Sequence, residues 1–426
     1  MKISLRHNLN SLYELLIKRK ILKSVIKVEN IYYDELKFYF YKGIFNHSNK
    51  MSKYNKSQYN SDSDNVASGI SVKSKSTALL KCLVESLERY SLCTYSKESI
   101  IQATFNRLSD KALNPGLYKH DRRLSQINMG WIKGYDLINN RGCFIPAQLV
   151  YLTYPADKEI LLTTQISTGA AGGIDFETTV LRGIYEVIER DAFMTMYLNK
   201  IKASRINLNS LNSDAISFLV KQLQRYNLEL FLFNITNDMQ IPSFFTLLLD
   251  RTGLGPVITV GAKSGFTVEK AIVGAIEESL MPRQWLRYEI QKRSFRIPKV
   301  DHHRINNITD RALYWSQSSN IKHFDFLIHQ KPEKYKIIPI TYDTKTELKR
   351  VIQIIKNNNY KIYYANITPK FVKNNSYYVY KIIIPGLQAL YLDEAKREIN
   401  SNRLIKTAHF FGKKNTTINN IPHPFL

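Results

Sequence analysis

Two short runs in this chain place two glutamates three residues apart with an arginine directly after them: Glu85, Glu88 and Arg89, then Glu186, Glu189 and Arg190. On an α-helix, residues three apart share a face, so each run presents a pair of carboxylates beside a guanidinium. The second run is set among Val180, Leu181, Ile184, Val187, Ile188, Ala192 and Phe193. A helix apolar nearly all round is buried, and a buried carboxylate is either ion-paired or bound to a metal. Crowded carboxylates cannot all stay ionised without cations. Mg2+ takes oxygen ligands from carboxylates and substrate phosphates together, and arginine matches phosphate oxygens. The residue types therefore fit a magnesium–phosphate centre. The competing reading is that the same groups form ordinary structural ion pairs.

The elements that must position these groups repeat. Ala67-Ser68-Gly69 leads to Glu85, Ser167-Thr168-Gly169 leads to Glu186, and Thr259-Val260-Gly261 leads to Glu278. The offset from glycine to glutamate is sixteen residues in the first copy (Gly69 to Glu85) and seventeen in the others (Gly169 to Glu186, Gly261 to Glu278). Each copy is expected to be a strand, a glycine turn and a helix with an acidic centre; Gly172 and Gly173 extend the second turn. The third copy has Met281 in place of the second glutamate, and its arginine comes one place later, at Arg283. The chain has neither a GxxxxGK[ST] phosphate loop nor the protein-kinase motifs, so a nucleotide site here is of another kind.

Around these copies the pattern predicts a mixed α/β chain. Residues 9–29 read as a short helix and a strand, 30–45 as strand, and 46–65 as a polar, mobile loop. Helices are expected over 76–91, 213–226, Val268 to about Tyr288, and 348–357. A hairpin turning at 139–142 joins 129–138 to 142–151. Further strands fall at 66–72, 228–235, 241–250, 256–265, 360–367 and 377–387, and residues 289–345 are basic and irregular.

Composition narrows the function classes. With 426 residues, 44% of them hydrophobic, the chain can build a sizeable core. The net charge of +25, from 61 Lys+Arg against 36 Asp+Glu, attracts polyanions. The lysines are scattered rather than blocked, which points to compositional bias. No RRM, KH or zinc signature supports a nucleic-acid partner. Cys82, Cys93 and Cys143 make neither a disulfide framework nor a zinc site, and the histidines show no metal-ligand spacing. No run approaches the ~18 apolar residues of a membrane span, and the N-terminus lacks an apolar signal region. A soluble, cytoplasmic protein with no membrane partner is expected.

The ExxER of Glu85–Arg89, the ExxERDAF of Glu186–Phe193 and the acidic helix Glu278–Arg283 together resemble the YcaO family. Trp131-Ile-Lys-Gly-Tyr135, Ile145-Pro-Ala-Gln-Leu149, Thr236–Pro242 and Pro385-Gly-Leu-Gln388 are similar to it as well. The match runs over roughly 65–426. It divides the chain into an N-terminal extension, 1–65, and an ATP-dependent catalytic domain, 66–426. The resemblance implies a mixed α/β fold with ATP and Mg2+ held by the acidic helices. In the azoline-forming branch a Cys, Ser or Thr side chain of a ribosomal precursor peptide adds to the preceding amide carbonyl. ATP phosphorylates the resulting oxygen, and loss of phosphate leaves a thiazoline or oxazoline.

Carried onto this chain, Glu85, Glu88, Glu186 and Glu189 are the implied magnesium ligands. Arg190 meets phosphate with Arg89 in support, and Glu278 and Arg283 complete the site. The tail Ile421-Pro-His-Pro-Phe-Leu426 resembles the proline-rich tail that reaches the reacting centre, which implies catalytic roles for Pro422, His423 and Pro424. The implied partners are the precursor peptide, an E1-like leader-binding protein (no such domain precedes residue 65) and a flavin-dependent dehydrogenase, with the chain itself a homodimer. Lys81 stands where many members have serine, Met281 where many have glutamine, and Leu426 where azoline-forming enzymes end in proline. Thioamidation with an external sulfur donor, and a non-catalytic scaffold that docks a peptide, are the alternatives.

Overall fold

The computed structural model describes residues 2–46, 66–156, 159–340, 342–373, 377–414 and 417–426. The polar loop expected at 46–65 lies, apart from Asn46, outside the described residues. The chain forms two compact units. One comprises Met1–Val28, Tyr39–Val187 and Tyr342–Leu387; the other comprises Glu29–Phe38, Ile188–Thr341 and Gln388–Leu426.

The first unit holds two sheets. β1 (Leu22–Lys27), β2 (Tyr39–Phe45) and β3 (Val66–Ser71) form an antiparallel meander. Its β2–β3 pairing spans position 65, so the segment read as an extension is hydrogen-bonded into the same sheet as the start of the first acidic copy. α1 (Lys2–Lys18) and α2 (Lys75–Cys93) pack against each other, and α2 lies on β2 and β3. Ser74 caps α2 by accepting the Thr77 N–H at 3.1 Å. The second sheet runs β4 (Ile101–Thr104), β5 (Asn128–Asp136), β12 (Tyr363–Asn366), β13 (Tyr378–Ile383), β7 (Ala170–Gly173), with β6 (Arg141–Pro146) paired to β5. The expected 129–151 hairpin is the β5–β6 pair. Asn140 takes the positive φ of 51° that its turn requires. Only Tyr39–Phe45 of the strand expected at 30–45 is strand.

In the second unit β11 (Ile258–Ser264), β10 (Ser243–Asp250), β9 (Leu228–Asn234) and β8 (Ser204–Arg205) form an antiparallel sheet. Every residue of β10 is buried, the expected outcome for a strand covered on both faces. α4 (Asp214–Arg225) packs on β9, and α5 (Val268–Leu280) on β10 and β11. The helix expected to reach Tyr288 is two: α5 ends at Leu280 and α6 (Arg283–Lys292) begins after Pro282. Proline has no N–H to continue the ladder and clashes with the preceding turn. α7 (Ile308–Trp315) and α9 (Ser401–Phe410) belong to this unit and α8 (Thr344–Asn357) to the first. The division between units falls within α3 (Phe176–Leu198), after Val187.

Two of the three marker glycines do not turn the chain. Gly69 lies inside β3 and Gly261 inside β11. A Cβ at Gly69 would sit 2.1 Å from the Ala78 carbonyl oxygen, and one at Gly261 would sit 2.1 Å from that of Ala275. The glycine is there to let a helix backbone touch the strand. Gly169, with φ +82°, is the one in a true turn. Gly261→Ala is expected to cost about 1–3 kcal/mol through forced displacement of α5. The denaturation midpoint measures this, and an unchanged midpoint would refute the close-packing role.

Candidate functional site

The repeat seen in sequence has a shared geometry. The first glutamate of each acidic helix accepts a backbone N–H beside its own marker glycine. Glu85 Oε2 accepts from Ser68 at 2.9 Å, Glu186 Oε2 from Gly169 at 3.2 Å, and Glu278 Oε2 from Ala262 at 3.0 Å. The second glutamate reaches the strand of the following copy: Glu88 Oε1 accepts from Gly172 N at 2.5 Å, and Glu189 Oε2 from Ser264 N at 3.3 Å. The third helix has only the apolar Met281 at that place. Each carboxylate is thus fixed by main chain, and its position depends on the strand–helix approach that the glycines allow.

In the first unit, the charges of Glu85 and Glu186 both bear on Glu88. Burial, reinforced by the charges of Glu85 and Glu186, pushes the Glu88 carboxyl up to about 8; the Gly172 N–H and the Arg182 charge work against that rise. Arg89 Nε bonds Glu85 Oε1 at 2.8 Å. The donors offered are all carboxylate oxygens under mutual repulsion, the chemistry a hard divalent cation relieves. Among the described residues, no group of three or more His, Cys, Asp or Glu is arranged to hold a metal ion by itself.

The raised Glu88 carboxyl has a pH consequence. Its ordinary value is 4.5 and its folded value about 8, so between those pH values the folded chain holds a proton that the unfolded chain has released. Stability contributed by this group therefore falls as pH rises from 4.5 to 8. Glu88→Gln is expected to flatten that slope, as read from melting temperatures across the range.

In the second unit, Glu189 is 1% exposed and is paired with Lys263 Nζ at 3.3 Å. Arg190 lies over the ring of Phe425, 5.4 Å from its centroid. Asp191 is wholly buried and structural: Arg403 grips it through Nε at 2.8 Å and Nη2 at 2.6 Å, with Asn237 and the Gln388 N–H as further donors. Glu278 is half-buried.

Arg283, expected to complete the nucleotide site, is engaged elsewhere. It is 1% exposed and bonds both oxygens of Glu35, at 2.6 and 3.1 Å, and Asp250 at 2.8 Å. Arg287 adds bonds to Glu35 and Asp34, and stacks on Tyr32 at 4.2 Å. A guanidinium so fully paired has no fork left for phosphate. The helix break at Pro282, which starts a new helix at Arg283, accompanies this reassignment.

The tail is part of the core of its unit. Pro422, His423, Pro424 and Phe425 are all buried. The Pro422 carbonyl accepts from Tyr197 Oη at 2.9 Å, and that of His423 from Arg311 Nη1 at 2.7 Å. His423 Nε2 lies 2.5 Å from the Tyr391 carbonyl oxygen, so Nε2 carries the proton. Burial and the Arg311 charge hold the ring well below its ordinary value, hence neutral. Two tail side chains reach α3: the His423 ring meets Phe193 edge to face at 6.3 Å, and Phe425 packs on Phe193 at 5.1 Å as well as on Arg190.

Sequence reading missed Phe425, Lys263 and the Glu35–Asp250 pair. It also missed Lys381, which is 4% exposed and donates to the carbonyls of Ile166 and Thr168 at 2.7 and 2.6 Å, pinning the turn before Gly169. A lysine inside the apolar run 377–387 was the available signal for the last.

A model of the YcaO family, described as a YcaO cyclodehydratase, ATP- and Mg2+-binding, matches residues 72–388. The chain belongs to the YcaO family. It is 30% identical over 122 residues to an uncharacterized protein in the tfuA 3' region of Rhizobium leguminosarum bv. trifolii, a match covering 28% of this chain and 29% of that one. The chain thus matches under a third of that curated relative's length. Among solved structures, a heterocyclase in complex with substrate and cofactor superposes with TM-score 0.73 at 17% identity, over 97% of this chain and 57% of that one. YcaO from Methanopyrus kandleri bound with AMPPCP and Mg2+ gives 0.64 at 13%, over 93% and 94%. The E. coli microcin synthetase McbBCD complex with pro-MccB17 bound gives 0.61 at 12%, over 85% and 87%. The fold is the mixed α/β fold of these YcaO structures. Among the described residues no helix is long and apolar enough to cross a membrane.

Proposed function

We propose that this enzyme uses ATP and Mg2+ to activate backbone amides of a ribosomal precursor peptide, converting Cys, Ser or Thr residues to thiazolines or oxazolines. The observation that carries the reading is the trio Glu85, Glu88 and Glu186, in which burial, reinforced by the charges of the other two, raises the Glu88 carboxyl to about 8 within a YcaO-family chain. ATP would supply the phosphoryl group that makes the amide oxygen a leaving group. Of the chain's own residues, Glu85, Glu88 and Glu186 hold Mg2+ in the first unit, with Arg89 orienting Glu85. In the second unit Glu189 serves the metal, and Arg190 and Glu278 serve the nucleotide. Fixed positive charge near transferring phosphoryl oxygens lowers the barrier without reorganisation.

Support for a peptide substrate with partner proteins comes from fold relatives described as bound to a substrate and to pro-MccB17 within a synthetase complex. We assign the same kind of partnership here: a precursor peptide, an E1-like protein that presents its leader, and a flavin-dependent dehydrogenase acting on the azoline. The homodimer implied by the family resemblance belongs to this proposal too.

The test is mass spectrometry of a Cys/Ser/Thr-rich precursor peptide, encoded beside this chain's gene, after incubation with the enzyme, its partner and Mg·ATP. Loss of one water per modified residue, matched by phosphate release, is the expected result. Exchange of oxygen for sulfur would instead establish thioamidation, and an unmodified peptide with no phosphate release would refute the enzymatic reading.

A further inference from the structure

We propose that Lys263 is a phosphate-binding residue that rests as the counter-ion of Glu189 and moves to the phosphate chain of ATP when it binds, a role that rests on the ATP-dependent activity proposed above. Glu189 is almost wholly out of water, and a carboxylate there needs a compensating charge. Lys263 supplies one at 3.3 Å, yet its own side chain is 44% exposed. Its ammonium therefore stands at the border between a buried acid and solvent.

The path of the side chain is built. A Cβ at Gly274 would lie 3.0 Å from Lys263 Cγ and 3.2 Å from its Cδ, so the stem runs closely along α5 at a glycine. The same strand end holds two acids: Ala262 N–H on Glu278, and Lys263 Nζ with Ser264 N–H on Glu189. A lysine ammonium has three donors on a flexible stem and acts on phosphate as a point charge. Charge balance supplies the switch. Once a cation neutralises Glu189, Lys263 is no longer required there, and its exposed, flexible stem leaves the ammonium able to turn to an incoming anion.

The test compares the full chain with K263M, which keeps most of the stem, and with K263R, which keeps the charge. Isothermal titration with Mg·ATP and melting without nucleotide are the measurements. K263M is expected to weaken Mg·ATP binding by about tenfold or more, the loss of one charge-assisted bond, and K263R to recover most of it. A K263M chain that melts lower but binds Mg·ATP as well as wild type would show that Lys263 is only a structural partner of Glu189, overturning the proposal alone. A wild-type chain that binds no Mg·ATP would overturn both this role and the activity on which it rests.

Discussion

Glutamine at position 186 is expected to cut ATP consumption by about two to three orders of magnitude while the protein stays folded. Glu186 accepts the Gly169 N–H through Oε2, and the amide oxygen of glutamine can accept it equally well. What is lost is the charge. That charge acts against the ionised form of Glu88, a repulsion that a bound cation relieves. The substitution should therefore leave the melting temperature of the nucleotide-free protein the same or slightly higher while turnover collapses. Phosphate release and circular dichroism read the two sides separately. A Glu186→Gln chain that consumes ATP at the wild-type rate would exclude the residue from the site. Glu189→Gln is expected to be as damaging to turnover, but to leave the Lys263 ammonium without its carboxylate.

Removing Pro422–Leu426 is the second large effect, and the structure changes what it means. The tail was expected from family resemblance to serve the reaction, so that its removal would cripple azoline formation more than ATP binding. It is also core. The deletion leaves Tyr197 Oη and Arg311 Nη1 without the tail carbonyls they bond, and strips Phe425 from Phe193. Loss of a buried phenylalanine alone costs about 3–5 kcal/mol, so the deletion is expected to lower stability markedly as well as activity. Phe425→Leu separates the two. It keeps apolar volume but removes the aromatic face under Arg190, a contact worth about 0.5–2 kcal/mol. If Phe425 orients Arg190 for phosphate, this variant loses affinity for Mg·ATP with a small change in melting temperature. An unchanged affinity would reduce the tail to a packing element.

The acidic helices were legible because charge on an apolar helix is a strong local signal, and the glycine offsets tied three such helices together. The meaning of the glycines was not legible. A turn and a close strand–helix approach both select glycine, and only the partner backbone, Ala78 or Ala275, tells them apart. The pairing of Arg283 with Glu35 and Asp250 has no local signal because those partners are remote in sequence, although Pro282 signals the helix break. Lys263 lay in a strand that read as apolar, and its partner Glu189 had been assigned to metal. Residues 30–38 look like strand from their aromatic content, but Asp34 and Glu35 hold the buried arginines Arg287 and Arg283 there.

The three-stranded meander sets the limits of any recombinant fragment. The family match starts at residue 72, directly after β3 ends at Ser71. A chain cut there would lack Gly69 against Ala78 and the Ser68 N–H on Glu85. It would also open the face of α2 that β2 and β3 cover. Cutting after residue 388, where the match stops, would remove Arg403 from Asp191. A protein trimmed to its recognisable motif would keep every acidic helix and lose the contacts that aim two of them, so silence from such a fragment would say nothing about the enzyme.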